Sequence, residues 1–134
     1  MASGDEQVAN LWLADELWRL GAVEFGDFSL GETAVHSPVY INLRRLISNP
    51  DALQRAAEVM WHEVHALQSM RNPRLARYDL VAGIPFGGLH LATAFSLLSG
   101  TPLIYIPPAV NGASGTIEGV YESAQTVLII DDLI

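Results

Sequence analysis

Val127-Leu128-Ile129-Ile130 is an unbroken aliphatic run that ends at two adjacent carboxylates, Asp131 and Asp132. A short run of this kind suits a strand buried on both faces of a parallel sheet. Ligands of open α/β sheets bind just beyond the carboxyl ends of the strands. A strand that delivers two acids to that edge is a candidate site for hydroxyl groups or a metal-bound polyanion. A strand running into a solvated turn accounts for the same residues, and the run alone does not separate the two readings.

A parallel sheet needs further strands joined by crossovers, and the preceding residues supply candidates. Tyr78 to Gly83 reads as a strand that enters the turn Ile84-Pro85-Phe86-Gly87-Gly88. A helix from about Leu89 to Leu98 follows, closed by Gly100. Strand, glycine-containing turn and helix start together place backbone N–H groups where an anion can sit. A tight connection needs such glycines for its own geometry, so two glycines do not make a phosphate site. Leu103 to Ile106 and Ile117 to Tyr121 read as strands, with Pro107 to Thr116 as a mobile loop between them. Strands and a helix with short connections predict an α/β sheet.

The first half is built differently. About Asp5 to Leu20 reads as a helix with two apolar stripes, Val8, Leu11, Ala14, Trp18 and Leu13, Leu17, Leu20. One stripe faces its own domain; the other either does the same or meets a partner subunit. Gly21 is placed to end the helix. Ala22 to Gly31 and Ser37 to Arg44 read as a strand pair, with Glu32 to His36 as the turn and Pro38 at a strand entry. Ser48-Asn49-Pro50-Asp51 is a helix start, a capping residue before proline at the first helical position. Leu53, Ala56, Met60, Val64 and Leu67 then mark a buried face. His62 and His65 lie on this helix without a third metal ligand nearby. Gln68 to Arg77, with Arg71, Arg74 and Arg77, reads as a surface connection or as a phosphate-binding arginine cluster.

Composition removes several functions. Fifteen Asp and Glu against seven Lys and Arg give a net charge of −8, whereas nucleic-acid binding needs a basic footprint. All seven basic residues are arginine, and there is no lysine and no cysteine. The polar, acidic N-terminus lacks the pattern of a signal peptide, and no apolar run reaches the length of a membrane span. These features predict a cytoplasmic, single-domain protein without nucleic-acid or membrane partners. No Gly-x-Gly-x-x-Gly follows a strand, which argues against a dinucleotide-binding module.

Five blocks in order carry a resemblance: Phe25 to Leu30, Ser37 to Arg44, Val81 to Gly88, Ile117 to Gly119 and Val127 to Ile134. Together they resemble orotate phosphoribosyltransferase from about Leu17 to the end of the chain. The resemblance implies a type I phosphoribosyltransferase fold: an α/β parallel sheet flanked by helices, incomplete at the C-terminus, with an N-terminal hood at about 1–45 and a core at about 46–134. It implies phosphoribosyl transfer from phosphoribosyl diphosphate to orotate with Mg²⁺, giving orotidine monophosphate and pyrophosphate in pyrimidine biosynthesis, in a homodimer. By the same resemblance, the backbone around Tyr40 and Ile41 holds the pyrimidine. Phe86, Gly87 and Gly88 line the pyrophosphate, and Asp131 and Asp132 bind the ribose hydroxyls. No residue is assigned as catalytic or as a direct metal ligand.

The chain departs from this family at its cations. Gly31, or Glu32 if one residue is added in the turn, stands where members carry lysine, and Gly87 stands where many carry another. The mobile-loop stretch Pro107 to Gly115 has no cation. The residues expected to cradle the 5′-phosphate would follow Ile134. Each lost charge-assisted contact to phosphate costs about 2–3 kcal/mol. The alternative function is therefore a non-catalytic member that binds a nucleotide or phosphoribosyl ligand, or pairs with an active subunit.

Overall fold

A computed structural model describes residues 10–30, 34–113 and 115–132. The chain forms two compact units, Met1–Ala52 and Leu53–Ile134.

In the first unit, α1 (Leu11–Arg19) is followed by β1 (Val23–Leu30), β2 (Ala34–Ile41) and a 3-10 turn at Leu43–Ser48. Gly21 ends α1 as expected: its φ is +63°, and its N–H donates to the Trp18 carbonyl at 3.0 Å. The two stripes of α1 have different fates. Leu17 is buried with Ala22 and Leu46, while Leu11 and Trp18 are exposed. Val8 and the first part of the expected helix lie outside the described residues, as do Gly31 and Glu32.

β1 and β2 pair antiparallel, with Glu24 opposite Tyr40 and Val23 opposite Ile41. The second strand begins at Ala34 rather than Ser37. The register slips between Phe25 and Phe28, and again before Leu30. His36, at φ +59°, lies in this irregular stretch and its Nδ1 is 2.9 Å from Asp27 Oδ1. The slips absorb extra residues that a regular two-residue alternation cannot pair.

α2 (Pro50–Ser69) starts where the sequence places it. Asn49 Oδ1 accepts the Ala52 N–H at 3.2 Å, and Pro50 needs no donor at the first position. Of the expected face, Ala56 is buried and Met60, Val64 and Leu67 are half-buried. His62 and His65 are exposed, and the His65 ring meets Trp61 edge-on at 4.4 Å. Residues 70–77 are a surface connection tied to α2 by Gln68 Nε2 donating to the Ala76 carbonyl.

The second unit holds a three-stranded parallel sheet in the order β4 (Leu103–Ile104), β3 (Leu80–Gly83), β5 (Val127–Ile130), with α3 (Gly87–Ser99) between β3 and β4. α3 packs on one face of the sheet, and Val81, Ala92 and Phe95 are wholly buried. Gly100, at φ +70°, closes the helix.

Three expectations change here. Val127 to Ile130 is not buried on both faces: Ile130 is buried but Ile129 is 64% exposed. β5 has only β3 beside it among the described residues, and α3 covers only one face. Ile117 to Tyr121 does not form a strand; a single bridge joins Tyr105 and Glu118. Gly119, at φ +108°, turns the chain there, and a Cβ on it would lie 2.9 Å from the Leu103 carbonyl oxygen. β4 also stops at Ile104, two residues early. In the loop, Asn111 and Gly112 both have positive φ, and Ala113 N–H donates to the Val110 carbonyl in a tight turn.

Candidate active site

The carboxyl ends of β3 and β5 lie side by side, and the start of α3 is packed against both. Ala82 pairs with Ile129 and Gly83 with Ile130. The pairing extends one step further, where Ile84 N–H donates to the Ile130 carbonyl at 3.0 Å. At the other end of the same strands, Asp79 Oδ2 accepts the Thr126 N–H at 2.8 Å and sets their register. Parallel pairing without stagger therefore brings the Gly83 edge and Asp131-Asp132 to one place.

Glycine is what allows α3 to come this close. A Cβ on Gly83 would lie 2.5 Å from Leu89 Cα and 2.8 Å from both Ala92 Cβ and the Gly88 carbonyl oxygen. A Cβ on Gly88 would lie 2.5 Å from the Ile130 carbonyl oxygen and 2.8 Å from Asp131 Cα. A Cβ on Gly87 would overlap the carboxylate of Asp132. Gly87 and Gly88 are buried and form the first turn of α3, so the helix begins two residues earlier than the sequence suggests. The Pro85–Phe86 peptide is cis, and the Phe86 ring is 63% exposed beside this turn.

The two acids differ in setting. Asp131 is exposed, and its Oδ1 accepts the Asp132 N–H at 2.8 Å. Asp132 is half-buried with its carboxylate over Gly87. It lies beside the first residue of α3, where the helix dipole favours an anion. Phe86, Gly87, Gly88, Asp131 and Asp132 thus converge. Gly83, which the sequence reading did not single out, makes the convergence possible; a glycine at the end of an apolar strand run was its only signal.

Tyr40 and Ile41 belong to the first unit. Tyr40 stacks obliquely on Phe28 with ring centroids 5.6 Å apart, and its hydroxyl accepts a hydrogen bond from Arg44 Nη2 at 3.1 Å. Ile41 is half-exposed at the end of β2. Arg44 and Phe28 therefore hold the Tyr40 side chain, a role not apparent from their separate positions in the sequence.

Among the described residues no group of three or more His, Cys, Asp or Glu could hold a metal ion. Two adjacent carboxylates beside an anion-favouring turn suit Mg²⁺ carried on a polyphosphate, because that ion keeps several waters and takes few protein ligands. The loop that follows β4 is closed at its base by mutual hydrogen bonds between Tyr105 and Glu118, at 2.8 and 3.2 Å. Two grooves lie in this unit. One, of about 240 Å³, is apolar and lined by Ile84, Ile104, Ile106, Ile117 and Ile129. The other lies at the amino ends of β3 and β4, beside Trp61, Arg77 and Tyr78; burial raises the pKa of the Tyr78 hydroxyl. No helix among the described residues is long and apolar enough to cross a membrane.

A parallel sheet with paired acids at the end of one strand and a glycine turn at the end of its neighbour defines a type I phosphoribosyltransferase fold. The structure superposes on Leishmania donovani UMP synthase with a TM-score of 0.75, at 35% identity over 94% of this chain and 25% of that one. It superposes on orotate phosphoribosyltransferase from Aeropyrum pernix with a TM-score of 0.60, at 30% identity over 87% of this chain and 62% of that one. The sequence is 30% identical to orotate phosphoribosyltransferase of Chlamydia felis over 138 aligned residues, covering all of this chain and 62% of that protein. No family model matches the chain. In sequence and fold the chain is similar to orotate phosphoribosyltransferases, and it spans about three fifths of the length of that curated relative.

Proposed function

We propose that this chain carries out phosphoribosyl transfer from phosphoribosyl diphosphate to orotate, giving orotidine monophosphate and pyrophosphate, in the cytoplasm. One observation carries the reading: Asp131 and Asp132 meet the first turn of α3 at the carboxyl edge of a parallel sheet. The relatives named above support the choice of orotate.

In this reading Asp131 and Asp132 accept hydrogen bonds from the ribose hydroxyls and fix the sugar. Displacement at the anomeric carbon builds positive charge on the ring, and two nearby carboxylates favour that charge. Backbone N–H groups around Phe86, Gly87 and Gly88 hold the departing pyrophosphate, while Mg²⁺ supplies charge neutralisation on the diphosphate when bound. The backbone at Tyr40 and Ile41 holds the pyrimidine.

The Asp131→Asn, Asp132→Asn double variant tests the site. Losing two charge-assisted hydrogen bonds of about 1.5 kcal/mol each weakens phosphoribosyl diphosphate binding by about 100-fold. Calorimetric titration with Mg²⁺ present measures this, and unchanged affinity refutes the assignment. A forward assay with orotate then decides activity. The absence of lysine favours the competing reading of a non-catalytic binder; binding without turnover supports that reading, and turnover removes it.

We further propose a homodimer that uses the exposed stripe of α1. Leu11 and Trp18 are 58% and 64% exposed, whereas Leu17, about a quarter to a third of a turn round the helix, is buried. Sedimentation of the wild type is expected to show a dimer, and Trp18→Glu a monomer. A wild-type monomer at all concentrations rejects this surface.

A further inference from the structure

The groove at the amino ends of β3 and β4 has a volume of about 860 Å³ and lies at the opposite edge of the sheet from Asp131 and Asp132. A site of that size has room for a nucleotide. One wall is the end of α2, where Trp61, His65 and Ser69 recur at four-residue steps over about 12 Å of helix. Another is the connection that ends in Arg77 and Tyr78, fixed to α2 by Gln68 Nε2 donating to the Ala76 carbonyl at 3.0 Å. Of Arg71, Arg74 and Arg77, the three arginines of this connection, only Arg77 lines the groove. The groove is rich in uncommitted donors. Among the described residues, the Arg77 guanidinium, the Tyr78 hydroxyl and the Trp61 indole N–H make no hydrogen bond or ion pair. Arginine and tryptophan side chains can only donate, and burial raises the pKa of Tyr78, which keeps its hydroxyl protonated. No Asp or Glu lines the groove, although the chain carries a net charge of −8. The neighbouring Asp79 carboxylate is engaged by the Thr126 N–H. Free donors without a carboxylate suit an anion rich in acceptors.

We propose that this groove binds a nucleoside monophosphate, with the phosphate on Arg77 and the base along Trp61. One permanent cation matches one phosphate, and a guanidinium can hold two of its oxygens at once. The carboxyl ends of α2 and α3 also border the groove, at Ser69 and Ser99. Helix carbonyls there disfavour an anion but accept hydrogen bonds. The ribose hydroxyls therefore belong at the helix ends and the phosphate in the connection. Trp61 is half-buried and meets the His65 ring edge-on at 4.4 Å, which fixes an aromatic wall for a planar base. A bare phosphate uses only the cation, and an uncharged nucleoside only the wall and the helix ends. The groove shares no residue with the proposed phosphoribosyl site, so the two can be occupied together.

The chain holds three tryptophans, Trp12, Trp18 and Trp61, so indole N–H signals in NMR spectra report on the groove directly. Trp61→Phe assigns the Trp61 signal by its loss. Uridine monophosphate, uridine and inorganic phosphate are each titrated into the wild type, Arg77→Gln and Arg74→Gln. The nucleotide is expected to shift the Trp61 signal saturably. Uridine and phosphate are each expected to bind about tenfold more weakly or worse, and Arg77→Gln to weaken the nucleotide about tenfold, the low end for a hydrogen bond to a charged group. Arg77 is exposed and unpaired among the described residues, so thermal stability is expected to stay the same. Arg74 lies outside the groove lining, and Arg74→Gln is expected to keep the wild-type affinity. A Trp61 signal that does not move overturns the inference, as does wild-type affinity in Arg77→Gln or an equal loss in Arg74→Gln. Phosphate or uridine binding as tightly as the nucleotide overturns it too. Repeating the titration with phosphoribosyl diphosphate and Mg²⁺ present is expected to leave the Trp61 response unchanged. Loss of the response there places the nucleotide in the phosphoribosyl site and rejects the groove.

Discussion

Phe95→Ala is expected to destabilise the second unit by about 3–5 kcal/mol, the range for deleting a fully buried aromatic side chain. Phe95 is 0% exposed on α3, as are Ala92 on the same helix and Val81 on the central strand. Gly83 lies two residues beyond Val81 and faces α3, so alternation along β3 turns Val81 toward the helix as well. Removing the ring leaves a cavity in the layer between helix and sheet, where the surrounding backbone is held by strand pairing and relaxes little. Domains of this size are stable by about 5–15 kcal/mol in total. The substitution therefore consumes a large share of that stability. Urea denaturation followed by Trp fluorescence and circular dichroism measures it; a loss below about 1 kcal/mol would show that the layer collapses around the gap.

Gly83→Ala has the second largest expected effect, about 2–3 kcal/mol, at the upper end of the range for overpacking. The added methyl meets Leu89 Cα, Ala92 Cβ and the Gly88 carbonyl oxygen, all inside 3 Å. None of these is the end of a flexible side chain, so relief requires movement of α3 as a whole. The first turn of that helix is also one wall of the proposed site. Gly83→Ala should therefore lower both thermal stability and phosphoribosyl diphosphate affinity. Full stability with normal affinity would mean that α3 shifts freely without disturbing the Gly87–Asp132 approach.

Much of this architecture is legible along the chain. Asn49-Pro50 marks the start of α2 because both its cap and its missing donor are local properties. Gly21 and Gly100 mark helix ends because positive φ favours glycine. The aliphatic run Val127 to Ile130, followed by two acids, identifies a strand and a candidate site. Four other blocks in order then connect it to a known family. The less legible parts depend on approach through space. Ile117 to Tyr121 has the residues of a strand, yet Gly119 and its closeness to Leu103 leave a single bridge. Ser37 reads as a strand entry, but the slipped pairing with β1 starts the strand at Ala34.

The sequence by itself determined where most of the strands and helices lie, that the chain is acidic and free of lysine and cysteine, and that two carboxylates follow β5. Those properties follow from local backbone preference, side-chain periodicity and composition. Only the tertiary structure decided that α3 covers one face of β5 and leaves Ile129 exposed on the other, and that the Asp132 carboxylate rests over Gly87. The reason is close packing between segments distant in the chain: strand register brings the ends of β3 and β5 level, and three glycines without Cβ atoms let the helix start against them.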